Sequence, residues 1–381
     1  MDTNHRLKHP ISCWIALLLL IPTACVSSAG CGRSESANPA SALKIAREYR
    51  QSAEPSRFML ASQSSGLSPS AQDTREEEAK YRRQITTYLN EWDFDQLEKA
   101  ARDARTGKER LEGGIWKLIA FYDAVSNPPA GEKAMRADWT NHLETVKQWV
   151  KGKPESATAR IALAESYVSY SWAARGNGYA NSVGQTAWDI FNEQTQLAES
   201  ALIEASRLKE KCPHWYSVMI EVALAQGWDK SQARELFEDS IAFEPLYYRY
   251  YREFANFLLP KWYGAPGETE ALAREVAARI GGDEGDLLYF EIASMVICQC
   301  ESDKPPMPDL SWAKIKRGYA ALGQLYGISP QKMNRFALMA YVADDRAAAQ
   351  SALAKIGNDW DPHVWDSSAS FKAAQAWAAT P

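Results

Sequence analysis

Histidines, cysteines and paired carboxylates are the usual raw material of a catalytic or metal site, and in this chain they are few or badly spaced. Beyond the apolar N-terminal segment there are three histidines, His142, His214 and His363. They lie far apart and outside any HExxH or paired-ligand spacing, so no zinc or iron centre is expected. His214 sits in the Pro213–His214–Trp215–Tyr216 seam, where capping or packing is the expected role. Cys298–Gln299–Cys300 has one intervening residue, too short for an unstrained disulfide, and no second pair lies near in sequence to complete a metal site. A bridge from Cys212 to either cysteine suits an oxidising compartment, but buried helix-end thiols are the simpler expectation. There is no G-x-S-x-G elbow, P-loop or complete dinucleotide fingerprint. Gly176–Asn177–Gly178 follows a helix and reads as a turn. Asp344–Asp345 and Glu76–Glu77–Glu78 read as solvated faces. No catalytic residue, metal ligand or cofactor is therefore assigned.

Aromatic density is the remaining signal. Trp215–Tyr216, Tyr247–Tyr248, Tyr250–Tyr251 and Trp262–Tyr263 are adjacent pairs, most of them expected as core wedges between helices. A minority is expected to line the groove that stacked helix pairs leave on one side. Long loops carry function more often than packing does. The candidate binding face therefore combines Arg175, Tyr179 and Asn181 of one loop with Trp262 and Tyr263 of another. The competing reading is that the glycines only turn the chain and Arg175 caps a helix C-terminus. A net charge of −5 without a basic stripe argues against nucleic acid as a partner.

Helices must position these loops. Between Cys212 and Gly264 the spacing predicts helix, turn, helix, turn, helix, with Pro213, Pro245 and Pro260 at the seams. Met219, Val222, Ala223 and Gln226 form one stripe, and Ala233, Phe237 and Ser240 the next. Gly227 closes the first helix, and Asp229 with Ser231 offers caps for the second. Pro213 and Pro245 are thirty-two residues apart, close to the ~34 of a tetratricopeptide (TPR) repeat. Ala223, Ala233, Phe237, Ser240 and Pro245 follow that repeat's order, while Trp215 and Tyr216 do not replace its first-helix signature. Pro330 to Pro362 repeats the step.

Elsewhere, Tyr81, Ile85, Tyr88, Leu89 and Trp92 share a helical face, and Phe94, Leu97 and Ala101 continue it. Leu111 to Ala124 is predicted as one apolar helix ending before Pro128–Pro129. Ser156 caps a helix through Tyr170, and Leu287 to Ile297 is apolar nearly all round, as a buried helix would be. Phe371 to Ala379 is expected as a cap on the array. No window alternates long enough for a strand. The expected fold is all-α: TPR-like helical hairpin repeats stacked as an α-solenoid over residues 75–381.

Residues 1–30 read as an export signal, with Arg6 and Lys8 before the apolar core from Trp14 to Ile21. That run is too short to span a membrane. Ser28–Ala29–Gly30–Cys31 resembles a bacterial lipobox, making Cys31 the candidate for lipidation, with Cys25 the alternative. Plain cleavage near Ala29 is the competing outcome. Residues 31–74, rich in Ser, Ala and Pro, are expected to form a disordered tether, with Ala42 to Tyr49 at most transiently helical.

Taken in order, Phe94–Asp95–Gln96–Leu97, Gly114–Ile115–Trp116–Lys117–Leu118 with Phe121–Tyr122, Ala174–Arg175–Gly176–Asn177–Gly178–Tyr179–Ala180 and Leu258–Leu259–Pro260–Lys261–Trp262–Tyr263–Gly264 resemble the bacterial domain of unknown function 4034 (DUF4034). The resemblance covers roughly residues 75–286. It implies a TPR-like fold and brings no activity. The expected function is a non-catalytic scaffold of the cell envelope, periplasmic or lipid-anchored, that holds another envelope protein or an extended peptide. Its only membrane contact would be the N-terminal lipid. The alternative is an α-helical envelope hydrolase acting on glycan or peptide, with an acid residue working beside the Arg175–Tyr179 loop, which paired carboxylates in a deep pocket there would favour.

Overall fold

Prolines, caps and left-handed glycines divide the chain into short helices. The computed structural model describes residues 39–53, 71–176, 178, 180–298 and 310–380. The first group of helices comprises α1 (Pro39–Gln51), α2 (Ala71–Asn90), α3 (Phe94–Gly107), α4 (Lys117–Val125), α5 (Arg136–Gly152) and α6 (Ala157–Arg175). Next come α7 (Gln185–Ser206), α8 (His214–Gln226), α9 (Lys230–Phe243), α10 (Arg249–Phe257), α11 (Glu268–Ile280) and α12 (Gly282–Cys298). The last are α13 (Trp312–Tyr326), α14 (Pro330–Val342), α15 (Arg346–Ile356), α16 (Pro362–Trp365) and α17 (Ser368–Ala379). Among the described residues the fold is all-α, apart from one isolated bridge between Arg110 and Trp116. No helix of the described residues is long and apolar enough to cross a membrane. The signal segment, Cys25, Cys31, Asn177, Tyr179 and Cys300 lie outside the described residues.

The expected seams are where the helices break. Pro213 precedes α8, Gly227 ends it in the left-handed region at φ 69°, and α9 closes before Pro245. Asp229 occupies the cap position of α9 without a side-chain cap bond. Ser156 caps α6 by accepting from the Ala159 N–H at 2.9 Å. Helices α2, α4, α6, α8, α10, α12 and α14 stack each on the next in chain order, and the odd-numbered helices flank them. This packing is compatible with a helical-repeat solenoid, in which each unit buries its apolar face against its neighbours. Trp116, Trp149, Trp215 and Tyr216 are wedged into the shared core, each 1 % exposed or less.

Three expectations need correction. Residues 39–53 are not part of a tether: α1 packs on α7 and α9 and buries Ala42, Leu43, Ala46 and Tyr49. The compact unit accordingly includes α1. The anchor is Tyr49, whose ring stacks on Trp215 at 4.7 Å. Its hydroxyl accepts from the Cys212 N–H at 2.7 Å and donates to the Cys212 carbonyl at 3.3 Å. Second, the helix predicted from Leu111 starts only at Lys117. Gly113 and Gly114 stand at φ 78° and 77°, which forces a short turn first. Third, Trp92 is 55 % exposed, because the chain reverses there in the left-handed region at φ 60° before Asp93 caps α3.

Candidate functional site

Of the aromatic-loop candidates, Arg175 and Trp262 come together. The Arg175 guanidinium lies 5.8, 5.6 and 5.7 Å from the rings of Trp172, Trp188 and Trp262, a cation–π cluster filled by the chain's own cation. Arg175 also donates to the carbonyls of Gly176 and Gly178, at 2.9 and 3.1 Å, so it satisfies the turn after α6. Asn181 lies exposed in a short turn. Tyr263 turns away: its hydroxyl donates to the Leu224 carbonyl at 3.1 Å and its ring packs on Phe257. The structure therefore pairs two candidates and separates Tyr263 from them.

A cleft of about 390 Å³ opens elsewhere, lined from α2, α4, α10, α12 and α14. Its chemistry starts in the core. His214 is fully buried on α8, stacked on Tyr122 at 4.0 Å. Its Nδ1 lies 2.7 Å from the Tyr247 hydroxyl, and its Nε2 lies 2.9 Å from Glu165 Oε2. Glu165, on α6, accepts from Ser126 Oγ at 2.8 Å and from Arg249 Nη2 at 3.0 Å. Arg249 also donates to Asp123 at 2.5 Å and lies 3.6 and 3.5 Å from Glu221 and Glu253. Asp123 accepts twice from Arg82 at 3.2 Å, and Arg82 reaches Glu78 at 2.8 Å. On the other wall, Arg252 donates to Glu291 Oε2 at 3.0 Å, to its carbonyl at 3.1 Å and to Ser294 Oγ at 3.1 Å. Lys332 pairs with Glu291, and Arg335 donates to the Ser294 carbonyl at 3.4 Å. Two polar networks thus meet on α10 and together reach all seven stacked helices.

Its electrostatics split the carboxyls into two kinds. Burial alone would raise Asp123, Glu165 and Glu291, but Arg249 with Arg82, His214 with Arg249, and Lys332 with Arg252 hold the three below the ordinary carboxylate range. Glu221 is pushed well up by burial and by neighbouring Glu253. Glu253 is pushed up by burial, with Glu165 and Asp123 adding to it against Arg249 and Arg252. Burial, with Arg252 and Arg335 adding, draws Lys332 down to about 8 despite Glu291. Ionised carboxylates held by guanidinium groups are weak bases, but they are rigid recognition groups. Among the described residues no cluster of histidine, cysteine and carboxylate side chains is placed to hold a metal ion. Cys212 is a buried free thiol 3.5 Å from the Tyr122 hydroxyl.

No family model, curated protein or solved structure matches this chain.

Sequence reasoning missed the cleft, although a signal was present. Asp123 stands alone in LIAFYDAV, Glu165 in IALAESYV, Glu221 in VMIEVALA and Glu291 in LLYFEIASM. A single charge inside an apolar helical run is rarely buried without a partner. Glu76–Glu77–Glu78 reads as a solvated face, yet Glu78 lines the cleft. Asp345, equally, caps α15 and accepts from Trp312 Nε1 at 2.8 Å.

Proposed function

We propose that this chain is a non-catalytic binding module of the bacterial cell envelope, on the TPR-like fold that its resemblance to DUF4034 implies. Residues 1–30 direct export, and a lipid on Cys31, or alternatively Cys25, attaches it to a membrane face. The module holds a peptide segment in the charged cleft. The supporting observation is the fixed networks on seven stacked helices: the guanidinium groups of Arg82, Arg249 and Arg252 are each oriented by a carboxylate from another helix, so little side-chain entropy is left to lose when a ligand arrives. The Arg175–Trp262 cluster is a secondary contact surface at most, because its cation already fills the rings.

The hydrolase reading rests on Glu253 and Asp123, which line the same cleft with their carboxyls pushed in opposite directions, as an acid and a base would be. This pair lies in the cleft and not beside the Arg175 loop. The deciding experiment places a photocrosslinking residue at Gln331, on the cleft lip, and another at Arg102, on α3. A partner peptide captured in cells from Gln331 but not from Arg102, and lost in Arg335→Glu at unchanged helicity and melting, supports the module. Equal capture from both positions overturns it. Turnover of glycan or peptide abolished by Glu253→Gln would establish the hydrolase instead.

A further inference from the structure

The charges of the cleft are not evenly mixed. Helix α10 divides them: Arg249 turns to Asp123 and Glu165 on one wall, and Arg252 turns to Glu291 and Ser294 on the other. The wall formed by α2 and α4, with Glu253 of α10, presents Glu78, Asp123 and Glu253 against Arg82 and Arg249. Glu165 and Glu221 lie directly behind it, so carboxyl groups outnumber guanidinium groups on this wall. Among the residues that line the cleft, the wall formed by α12 and α14, with Arg252, presents the cations Arg252, Lys332 and Arg335 and the carboxylate Glu291, so cations outnumber carboxylates there. The titration behaviour agrees with this polarity. Beyond burial, Arg252 and Arg335 press Lys332 down, and neighbouring carboxylates press Glu221 and Glu253 up. Each wall has an excess of one sign that a ligand of the opposite sign relieves.

We propose that the cleft binds a zwitterionic amino compound of about dipeptide size, with its ammonium against Asp123 and Glu253 and its carboxylate against Arg252, Lys332 and Arg335. This rests on the reading of the cleft as the binding site. A volume of about 390 Å³ lies at the low end of the roughly 300–1,000 Å³ typical of small-ligand pockets. That suits a short peptide with both ends inside better than a long segment threaded through. The two charged ends are recognised by different walls, so blocking either should be felt separately. Loss of one charge-assisted contact weakens binding by about tenfold or more.

The test is equilibrium dialysis of the full chain against three dipeptide pools, each randomised at both positions, read by mass spectrometry. One pool has free ends, one is N-acetylated and one is C-amidated. Retention of free-ended dipeptides, with each blocked form of the same sequences about tenfold weaker, is expected. Glu253→Gln should erase the preference for a free ammonium and leave the preference for a free carboxylate. Arg335→Gln should do the reverse. Both variants alter part-buried side chains on the cleft wall, and unchanged melting excludes loss of fold. If no free-ended dipeptide is retained at millimolar concentration, or blocked pools bind as well as free ones, the zwitterion proposal is overturned. Partner capture from Gln331 in the same preparation separates the two readings. Persisting capture leaves the binding module standing without this ligand class, and absent capture removes both.

Discussion

Glu291 is 3 % exposed in the largely apolar stretch Leu287–Ile297, and two cations, Lys332 and Arg252, pair with it. Glu291→Ala leaves Lys332 buried without the carboxylate it pairs with and takes from Arg252 its ion-pair partner on α12. Removing one partner of a buried pair typically costs about 3–5 kcal/mol, which urea unfolding at neutral pH should register. The double change Glu291→Leu with Lys332→Met should recover much of that loss, since an apolar replacement removes the uncompensated charge with its partner. A double variant as unstable as the single one would rule out the ion pair as the cause. His142 supplies a pH prediction of the opposite kind. It is buried on α5 with Nε2 3.3 Å from Ser166 Oγ, and burial lowers it from 6.5 to about 4. Between those values the unfolded chain binds a proton that the folded chain refuses, so stability rises with pH across this window. About 3 kcal/mol should be present above pH 6.5 and lost as the pH falls through about 4. His142→Asn should flatten that part of the profile, and an unchanged slope would place the acid sensitivity in another group.

Helices are the scale at which most of the fold could be read from sequence, and α1 is the instructive exception. The α8–α9 and α14–α15 hairpins were legible because proline, capping residues and helical periodicity agree along them. Helix α1 was not, because its buried face is short, half of it alanine, and its stability comes from contacts 163 and 170 residues away, through Tyr49 to Cys212 and Tyr216 to Ala46. The cleft was only partly legible for the same reason: lone charges in apolar helices mark its buried carboxylates, but its lining comes from five helices that only stacking brings together. Tyr49→Ala should therefore cost about 3–5 kcal/mol, as for other buried aromatics, and lower the thermal midpoint. A tether residue would leave the midpoint unchanged. The α12–α13 pair makes a second prediction. A Cβ at Gly318 would stand 2.2 Å from the Asp286 carbonyl oxygen and 2.7 Å from Phe290 Cβ. Gly318→Ala must push the helices apart, costing about 1–3 kcal/mol in the same unfolding assay. A neutral result would mean that α13 slides freely on α12.

An open solenoid couples each repeat only to its neighbours, so its ends unfold independently of one another. Here the turn before α4 closes the array on itself. The Arg110 guanidinium lies 4.3 Å from the Trp116 ring, 4.4 Å from Tyr248 and 5.2 Å from Tyr326, joining the start of α4 to α10 and to the end of α13. Arg110 and Trp116 both donate to the Leu246 carbonyl, at 3.0 and 2.8 Å. Gly113 meets the start of α14: a Cβ there would lie 2.5 Å from Ser329 Oγ, and the residue already stands at φ 78°. Gly113→Ala should therefore unlatch the turn from α13–α14 and loosen the cation-rich wall of the cleft. The expected result is faster hydrogen exchange in α13 and α14, with α5–α9 unchanged, and weaker ligand retention without loss of overall helicity. Gly131→Ala is the control, because it shares the left-handed strain at φ 55° but has open space around its Cβ. If both substitutions raise exchange equally, backbone strain is responsible and the closing contact is not. If only Gly113→Ala does so, the same latch that makes the two ends unfold together also holds the two walls of the cleft at their working distance.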